Sequence, residues 1–386
     1  MIRVDNTPRD YAWGSAHDIA ALRGLSESGG PEAELWLGTH PGSPTRFVDA
    51  PAGSPQTIAE LLSERGEQPL PYLLKLLAAA HPLSIQAHPS PEQARAGFAR
   101  ENDAGIALDA PHRNYRDDAH KPELIVALSP RFEALCGFRP VVATLKQLEL
   151  VALANDASDG TSVAIREFMS QLRDHGDDAI AWALQWLLGS GEATDLVTEV
   201  SRGGTALDDE LLTELATDYP GDPGIVVAMF LNRVHLHRGQ ALYLPAGNMH
   251  AYVRGFGVEL MAASDNVLRG GLTTKHVDVD ELLSVVEPTV LPVPLLEPEQ
   301  PAEGVSIFRP DVPDFVLAYI QPHVQSPTAD YALPLSRHAI AVCTGGSVTL
   351  SGSQSLINLT QGQSCFVEAG ETSLRASGSG DIFIAF

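Results

Sequence analysis

The hydrophobic period of the sequence changes twice, and no other feature limits the possible folds as strongly. Residues 1–141 hold short strand candidates among Pro- and Gly-rich turns, and after Gly224 such strands recur about every 8–12 residues, as in sandwiches and barrels. Between them, from about Val142 to Asp218, apolar residues recur with a helical period, and Gly-rich breaks indicate three or more helices. We therefore expect two β-rich parts separated by an all-α insertion.

A short internal repeat connects the two β-rich parts. GQALYLPAGNMH (residues 239–250) and GQSCFVEAGETS (residues 362–373) align at an offset of 123 residues, with two glycines and one glutamine matched. Two glycines that bracket an apolar strand are typical of the strand–turn units of jelly-roll barrels. We therefore predict a duplicated barrel in which Ser373 of the second copy replaces His250 of the first. If the first barrel holds a metal, the second lacks this ligand.

The composition excludes several classes of partner. The chain of 386 residues has a net charge of −24, which repels nucleic acid and anionic membranes, so an anionic substrate needs a local group of Lys and Arg. The three cysteines are widely spaced and predict no disulfide framework. The most apolar stretch is interrupted by Lys75 and His81, and the N-terminus has no signal-peptide pattern. We expect a cytoplasmic protein with no nucleic-acid or membrane partner.

The stretch SIQAHPSPEQ, residues 84–93, places polar side chains on one face of a predicted strand. Successive side chains of a strand point to opposite faces, so Ser84, Gln86 and His88 share one face. Ile85 and Ala87 share the other face, and the SPEQ sequence that follows predicts a capped helix start. Polar side chains inside an apolar barrel are costly unless they bind something, so this strand predicts a binding site.

Two distant residues extend this polar group. Glu123 lies in a buried strand predicted for KPELIVAL (residues 121–128), and His250 ends the repeated strand beside a glycine turn. With Gln86 and His88 they offer two oxygen and two nitrogen ligands, a mixed set that suits Zn²⁺ or a similar divalent ion. From the pattern alone, ordinary polar residues at strand ends remain the alternative.

Four charged residues lie in the same segments. Lys75 interrupts an apolar run, and Lys121 precedes Glu123. Glu259 lies in an apolar strand, and Arg269 is followed by two glycines that allow close approach of a ligand. The three cations would supply the local positive charge that a phosphorylated substrate needs in so acidic a protein. The alternatives are a surface position for Lys75 and an internal ion pair between Glu259 and Arg269.

Seven segments resemble those of type I mannose-6-phosphate isomerases and follow the order of that family. They are YAWGS (11–15), AELWLGTHPGSP (33–44), PYLLKLLAAAHPLSIQAHPS (71–90), HKPELIVAL (120–128), FEALCGFRP (132–140), PAGNMHAY (245–252) and VELMAASDNVLRGGLTTKHVDV (258–279). Because several unrelated segments agree over about residues 10–280, the resemblance is specific. The family often has Pro where this chain has Met249, which alters the stiffness of the turn but leaves the next histidine in place.

The resemblance implies a mainly β fold of two cupin (jelly-roll) barrels with an inserted all-α domain. Residues 1–141 and 223–290 would form the catalytic cupin, and residues 142–222 the helical insertion domain. Residues 291–386 would form a C-terminal cupin-like domain without metal. The Pro-rich residues 287–304 predict an extended crossover into that last domain.

The resemblance also implies roles for the polar residues grouped above. One Zn²⁺ per chain would be bound by Gln86, His88, Glu123 and His250. The arginine that the family uses in catalysis falls on Arg269, and the lysines of its motifs fall on Lys75 and Lys121. By residue type and strand position we also expect Glu259 to act in catalysis with Arg269 and Lys121, and Ser84 and His120 to bind the substrate together with Lys75. We expect Arg269 to be essential, and the proton-transferring base stays open among Glu259, Lys121 and His120.

The implied activity is the interconversion of mannose 6-phosphate and fructose 6-phosphate through a cis-enediol intermediate. The enzyme would open the sugar ring and move a proton between C1 and C2. The reaction would serve carbohydrate metabolism and GDP-mannose biosynthesis. We expect a small phosphorylated sugar as the partner and a monomeric chain.

Two other functions stay open at this stage. A metal-binding cupin without catalysis, such as a sugar-sensing or storage module, explains the barrel and the ligands but not the group of Lys75, Lys121 and Arg269. Another cupin enzyme, such as an iron dioxygenase, would favour a His-rich ligand set, whereas this set has Gln and only two His. An isomerase assay with and without a chelator separates the three functions.

Overall fold

The computed structural model describes residues 1–158, 160–322 and 331–386, which form mainly β-sheets together with a helical part. All three cysteines are buried and free, as the sequence predicts. None of the helices in these residues combines the length and the apolar character needed to cross a membrane. The fold is therefore held by packing and hydrogen bonds, without disulfides.

The largest sheet of the described residues has nine strands and forms around one long strand, His250–Ala262. The start of this strand pairs with Phe132–Phe138, and its second half lies between Tyr72–Ala79 and Glu123–Ala127. The other strands of this sheet are Glu34–Leu37, Gln86–Ala87, Leu231–Leu236, Ala241–Leu244 and Leu268–Arg269. One strand thus joins segments from both sides of the helical part.

The long strand changes its partners at Gly255. Its pairing with Phe132–Phe138 ends just before this residue, and its pairing with Tyr72–Ala79 begins there. Gly255 has a φ of +129°, and a Cβ at this position would lie 2.7 Å from the Phe132 ring. Only glycine accepts both this backbone angle and this close approach.

Two further sheets hold most strands of the C-terminal part. The eight-stranded sheet contains Ile2–Asp5, Arg46–Phe47, Glu299–Ala302, Val305–Phe308, Leu317–Ile320, Ala339–Gly345, Ser364–Val367 and Asp381–Ala385. The four-stranded sheet contains Leu333–Pro334, Ser347–Ser351, Leu356–Thr360 and Ser373–Gly378.

The N-terminal strand departs from the expected division of the chain. We expected residues 1–141 to belong to the first barrel, but Ile2–Asp5 pairs with Ser364–Val367 of the eight-stranded sheet. This pairing satisfies backbone groups that Ser364–Val367 would otherwise expose at a sheet edge. Strand assignment by sequence proximity fails here because the partner lies at the other end of the chain.

The helices of the described residues fall into a continuous helical part and four isolated helices. The helical part contains Val141–Ala157, Val163–His175, Ala179–Gly189, Thr194–Ala206, Glu210–Asp218 and Gly224–Ala228. The isolated helices are Asp18–Arg23, Ile58–Glu64, Pro91–Asp103 and Val279–Val285. The last helix of the helical part lies beyond Asp218, where we expected β structure to resume. Its apolar residues are buried in the helical core, and this packing overrides their strand propensity.

The capped helix predicted after the polar stretch is present. The Ser90 hydroxyl accepts a hydrogen bond from the Gln93 N–H, and the Gln93 side chain accepts one from the Ser90 N–H. This helix runs to Asp103. The strand before it is shorter than predicted and comprises only Gln86–Ala87, so Ser84 and His88 flank the strand.

The internal repeat corresponds to the same local structure in both places. The strands Ala241–Leu244 and Ser364–Val367 are separated by the predicted offset, and the next strands begin at His250 and Ser373. The first copy lies in the nine-stranded sheet, whereas the second copy is divided between the eight- and four-stranded sheets. The same strand–turn–strand unit therefore occurs in both β-rich parts.

Candidate metal centre and its surroundings

Three buried side chains meet inside the nine-stranded sheet. His88 Nε2 lies 3.2 Å from Glu123 Oε1, and His250 Nε2 lies 3.3 Å from Glu123 Oε2. Each residue is at most 2% exposed, and their ligand atoms all lie within 4.8 Å of one another. Gln86 joins the group, with its Nε2 3.4 Å from His250 Nε2. The structure thus brings together all four predicted metal ligands.

The local sequence explains why these side chains share one interior. Ile85 and Ala87, and likewise Met249 and Ala251, are buried in the core that the helical part forms. Because side chains alternate along extended backbone, the polar residues between them face the other way, into the sheet. His250 and Gln86 are direct partners across neighbouring strands. The apolar face packs against the helices, and the polar face forms the site.

The hydrogen bonds of the two histidines fit a bound cation. The Nδ1 atoms of His88 and His250 lie 2.8 and 3.0 Å from the carbonyl oxygens of Asn266 and Asn248. A carbonyl only accepts, so each Nδ1 carries the hydrogen, and in a neutral ring Nε2 presents its lone pair. Burial and the nearby Lys121 lower the pKa of His88 to about 4, which keeps its ring neutral at pH 7.

A cation between these atoms resolves an unfavourable contact. The lone pair of His88 Nε2 faces the Glu123 carboxylate, and neither His88 Nε2 nor Glu123 Oε2 has a hydrogen-bond partner. Two electron-rich atoms at such close range repel each other unless a positive ion lies between them. Rotation of the Gln86 amide would turn its oxygen toward the same point. The donor set therefore fits one divalent cation such as Zn²⁺.

Lys121 supplies the charge that keeps the carboxylate ionised. Its Nζ lies 2.9 Å from Glu123 Oε1, and both side chains are buried. Burial alone would raise the pKa of Glu123, but Lys121, the largest of the opposing influences, helps to hold this pKa well below its usual value. Glu123 is therefore an anion ready to bind a metal.

A second buried ionic group lies on the same face of the sheet. Lys75 Nζ is 2.9 Å from Glu259 Oε2 and 3.2 Å from Glu34 Oε1, and the Trp36 indole lies beside it. Burial raises the pKa of Glu259, with Lys75 opposing this shift and Glu123 adding to it. Lys75 is thus neither a surface lysine nor a free cation. The expectation that Lys75 and Lys121 add net positive charge is wrong, because carboxylates neutralise both.

The positive charge near the centre comes from a different set of residues, which we call the cation group: Arg116, Arg269 and Lys275. Arg269 is the direct strand partner of the predicted ligand Gln86. Burial and the charge of Arg116 lower the pKa of Arg269. Burial, Arg269 and Arg116 together lower the pKa of Lys275. In the described parts of the chain, none of the three forms an ion pair with a carboxylate. Their charges are therefore available to an anion.

Sequence reasoning missed two members of the cation group. Arg116 precedes two aspartates, which suggests local neutralisation, but Asp117 instead accepts hydrogen bonds from Ser264 Oγ and the Asp265 N–H. Lys275 lies in a segment already singled out for Arg269, and the two glycines after Arg269 were a usable signal.

The two remaining predicted residues lie at the edge of the site. The hydroxyl of Ser84 is half-buried and makes no side-chain hydrogen bond to another described residue. His120 Nε2 lies 2.9 Å from Asp314 Oδ2, a residue of the C-terminal part. Sequence analysis gave no indication of this contact, because the two residues are far apart in the chain.

A second group of possible metal ligands lies elsewhere. His81, Glu214 and Asp218 also bring ligand atoms within 4.8 Å of one another. His81 is exposed and bonded to Asp218, however, and Glu214 already pairs with Arg254. Water and an existing cation therefore satisfy these groups, and the buried set is the better metal site.

Comparisons with known proteins give a consistent result. Residues 1–141 match the family model described as "Phosphomannose isomerase type I, catalytic domain". The chain is 34% identical to mannose-6-phosphate isomerase of Escherichia coli (strain K12), with 98% of each protein covered. It is 33% identical to the Homo sapiens mannose-6-phosphate isomerase, with 97% of this chain and 95% of the relative covered.

Solved structures extend this similarity to the fold. A variant of phosphomannose isomerase from Salmonella typhimurium superposes with a TM-score of 0.83 at 32% identity, covering 100% of this chain and 99% of that one. A zinc-bound mannose 6-phosphate isomerase also gives a TM-score of 0.83 at 32% identity, covering 100% and 98%. The similarity thus includes both β-rich parts and the helical part.

Proposed function

The chain belongs to the type I phosphomannose isomerase family, and from this premise we propose that it interconverts mannose 6-phosphate and fructose 6-phosphate. The observation that carries the proposal is the cation group beside the buried ligand set. A metal-binding module without catalysis needs the ligand set alone. An enzyme for a phosphorylated sugar needs a metal centre and an anion site within one substrate length.

We propose that Gln86, His88, Glu123 and His250 hold one Zn²⁺. The neutral ring of His88, the ionised Glu123 and the carbonyl-bound Nδ1 atoms of both histidines support this assignment. When bound, the ion would supply positive charge that orients the sugar oxygens and stabilises negative charge on them. Lys121 keeps Glu123 ionised. The helical core packs against the residues next to the two histidines and so holds their strands in place.

The cation group is the proposed phosphate site. Guanidinium groups bind phosphate with paired, charge-assisted hydrogen bonds, and a lysine adds a further donor. Arg269 is next to Gln86 in the sheet, so we propose that it contacts the reacting end of the sugar as well, whereas Arg116 and Lys275 hold the phosphate. In a chain with a net charge of −24, this local group is what would attract an anionic substrate.

We propose that the proton moves between C1 and C2 through a cis-enediol, with Glu259 as the base. Its raised pKa brings the carboxyl closer to the range in which a base works at neutral pH. Glu259 is on the same face of the sheet as Glu123, because its strand partner Ile125 lies two residues beyond Glu123. Lys121 and His120 would assist ring opening. Exchange of the C2 proton with solvent tests this assignment, and Glu259→Gln should abolish it.

We infer the domain arrangement, cellular location and metabolic role from membership of the family. We propose two cupin barrels, with residues 1–141 and 223–290 in the catalytic barrel, residues 142–222 as the inserted helical domain, and residues 291–386 as a cupin-like domain without metal. Within residues 1–141 the strand Ile2–Asp5 is an exception, because it pairs with Ser364–Val367 of the eight-stranded sheet. We also propose a cytoplasmic monomer that acts on a small phosphorylated sugar and supplies carbohydrate metabolism and GDP-mannose biosynthesis.

The direct test is an isomerase assay that starts from fructose 6-phosphate, before and after treatment with a chelator. Activity that is lost on chelation and restored by Zn²⁺ supports the proposal. A metal-free protein with full activity would exclude the metal role. A metal-loaded protein that binds the sugar phosphate without converting it would favour the non-catalytic binding module.

The phosphate site has its own test. Removal of a charge-assisted hydrogen bond costs about 1.5–3 kcal/mol, so Arg116→Ala and Lys275→Ala should each raise KM roughly 10- to 100-fold, with kcat less affected. Arg309→Ala, an exposed arginine of the C-terminal part, is the matched control. If Arg116 and Lys275 bind the phosphate group, both variants should bind unphosphorylated mannose as well as the parent protein does.

A further inference from the structure

The side chain of His120 forms a hydrogen bond with the C-terminal part of the chain. Its Nε2 lies 2.9 Å from Asp314 Oδ2, and both side chains are 19% exposed. A carboxylate only accepts hydrogen bonds, so Nε2 carries the hydrogen, and in the neutral ring Nδ1 is left as the acceptor. Among the described residues Nδ1 has no partner. The contact therefore selects both the orientation and the tautomer of the ring.

The backbone around Asp314 is rigidly held. The Arg337 guanidinium donates to the carbonyl oxygens of Asp314 and Pro313, at 2.9 and 3.1 Å. The next residue, Phe315, is fully buried in a core that also contains Leu35 and Leu74 of the nine-stranded sheet. The carboxylate of Asp314 is thus presented to His120 from a fixed position in the other β-rich part.

The backbone that carries His120 is held from the opposite side. The Asn266 amide donates to the carbonyl oxygens of Asp117 and Ala119, both at 2.8 Å. Ser264 Oγ donates to the Ala119 oxygen at 3.1 Å. The Asn266 carbonyl also accepts from His88 Nδ1, so this loop and a metal ligand share one support. The loop is fixed without Asp314, whereas the His120 ring depends on it.

We propose that Asp314 is a positioning residue of the isomerase, which acts on the reaction through His120. The inference rests on the proposed function, because His120 needs a substrate hydroxyl to act on. Asp314 holds the Nε2–H, and the unprotonated Nδ1 then takes the proton of the O1 hydroxyl as the C1–O5 bond breaks, and the same proton is passed to O5. The C-terminal part, which lacks the metal ligands, would thereby contribute to the active site.

The test uses the full-length zinc-loaded protein and compares Asp314→Asn, Asp314→Ala and Asp314→Glu. Loss of a group that orients a functional side chain costs about 10- to 100-fold, so Asp314→Ala should lower kcat by this factor while KM changes little. Asp314→Asn keeps the shape of the side chain and an accepting oxygen, and Asp314→Glu keeps the charge, so both should retain intermediate activity. Asp311→Asn, an exposed acid in the same loop, should behave as the parent protein.

A double-mutant comparison separates positioning from general stability. In a His120→Ala background, Asp314→Ala should cause no further loss of kcat, because the group through which it acts is gone. Losses that multiply, or an equal fall in kcat for Asp311→Asn, would overturn the inference. Zinc content and melting temperature are measured for each variant. If the parent protein isomerises the sugar and Asp314→Asn and Asp314→Ala both keep full kcat, only this inference fails. If the parent protein does not isomerise it, the proposed function fails.

Discussion

Residues 239–250 and residues 362–373 have the same local structure but different chemical surroundings. In the first copy, the His237 N–H donates to Gln240 Oε1 at 2.8 Å, and in the second the Thr360 N–H donates to Gln363 Oε1 at 3.0 Å. The glycine turns that follow the strands are closed by equivalent backbone bonds, Asn248 to Pro245 and Glu371 to Glu368. The repeat therefore preserves a turn geometry, independently of any ligand.

The two copies differ in the residues that lie next to them in the fold. His250 pairs across the strands with Gln86, whereas Ser373 pairs with Pro334, which has no polar side chain. At the position of Asn248, the second copy has Glu371, whose carboxylate accepts from Ser353, Gln354 and Ser355. The comparison shows that the unit provides the scaffold, while the neighbouring strands decide whether a metal can bind.

The largest expected effect comes from converting the first copy into the second at one position. His250→Ser removes one nitrogen ligand and should lose bound zinc. The metal contributes several kcal/mol to the transition state and each factor of ten costs about 1.4 kcal/mol, so kcat should fall about 10³-fold. Metal analysis of the purified variant and the isomerase assay check both statements.

The reverse change is the control for this experiment. Ser373→His gives the second copy the residue of the first, but its strand partner is Pro334, where His250 has the predicted ligand Gln86. We expect no additional zinc. Uptake of a second equivalent of zinc by Ser373→His would mean that the unit alone builds the site, against the conclusion drawn above.

The second prediction concerns the cation group of the first part. Arg269→Ala should lower kcat by about 10²-fold or more, because a charge-assisted contact to the reacting sugar is lost, while zinc stays bound. Arg309→Ala in the C-terminal part should leave kcat unchanged, since among the residues that the structure describes Arg309 pairs only with the exposed Glu299. A normal kcat for Arg269→Ala, or loss of its zinc, would contradict the assignment.

Several features of the fold could be predicted from the sequence because they are local. The helical period, the SPEQ cap before the helix Pro91–Asp103 and the repeated glycine frame all depend on residues that are close in the chain. The place of Ile2–Asp5 in the eight-stranded sheet could not be predicted, since its partner Ser364–Val367 is at the opposite end of the sequence. The strand propensity of residues 225–227 gave a wrong result because burial in the helical core decided their conformation.

The candidate site likewise has features that depend on neighbouring residues in the chain and features that depend on distant ones. The alternation around Gln86 and His88 is a property of extended backbone, so the sequence could group these residues before the fold was known. The net charge of Lys75 depends on Glu34 and Glu259, which reach it from neighbouring strands. A lysine in an apolar run does not reveal its partners, and for this reason the sequence does not show that carboxylates neutralise Lys75 and Lys121.

The third prediction tests how the two turns are packed. Gly239 and Gly362 have φ values of +86° and +83°, so Ala at either position is strained by about 1–2 kcal/mol. A Cβ at Gly239 meets nothing within 4 Å, whereas one at Gly362 would lie 2.6 Å from Arg23 Cα and 2.9 Å from the Leu22 carbonyl oxygen. We expect Gly362→Ala to lower the free energy of unfolding by at least about 1 kcal/mol more than Gly239→Ala. Denaturant titration of both variants measures the difference. Equal losses of unfolding free energy would show that the helix Asp18–Arg23 moves to make room for the added methyl group.

The smallest effect is expected where the two copies are most alike. Gln240→Ala and Gln363→Ala each remove the oxygen that accepts the N–H three residues earlier, and water can replace it in both exposed turns. Each variant should therefore lose only about 0.5–1 kcal/mol of unfolding free energy, and the double variant should lose the sum, because the turns are independent. Zinc content and kcat should stay at the level of the parent protein in all three. A loss of zinc in Gln240→Ala alone would mean that the turn of the first copy also positions His250, and the scaffold and the site would then not be separable.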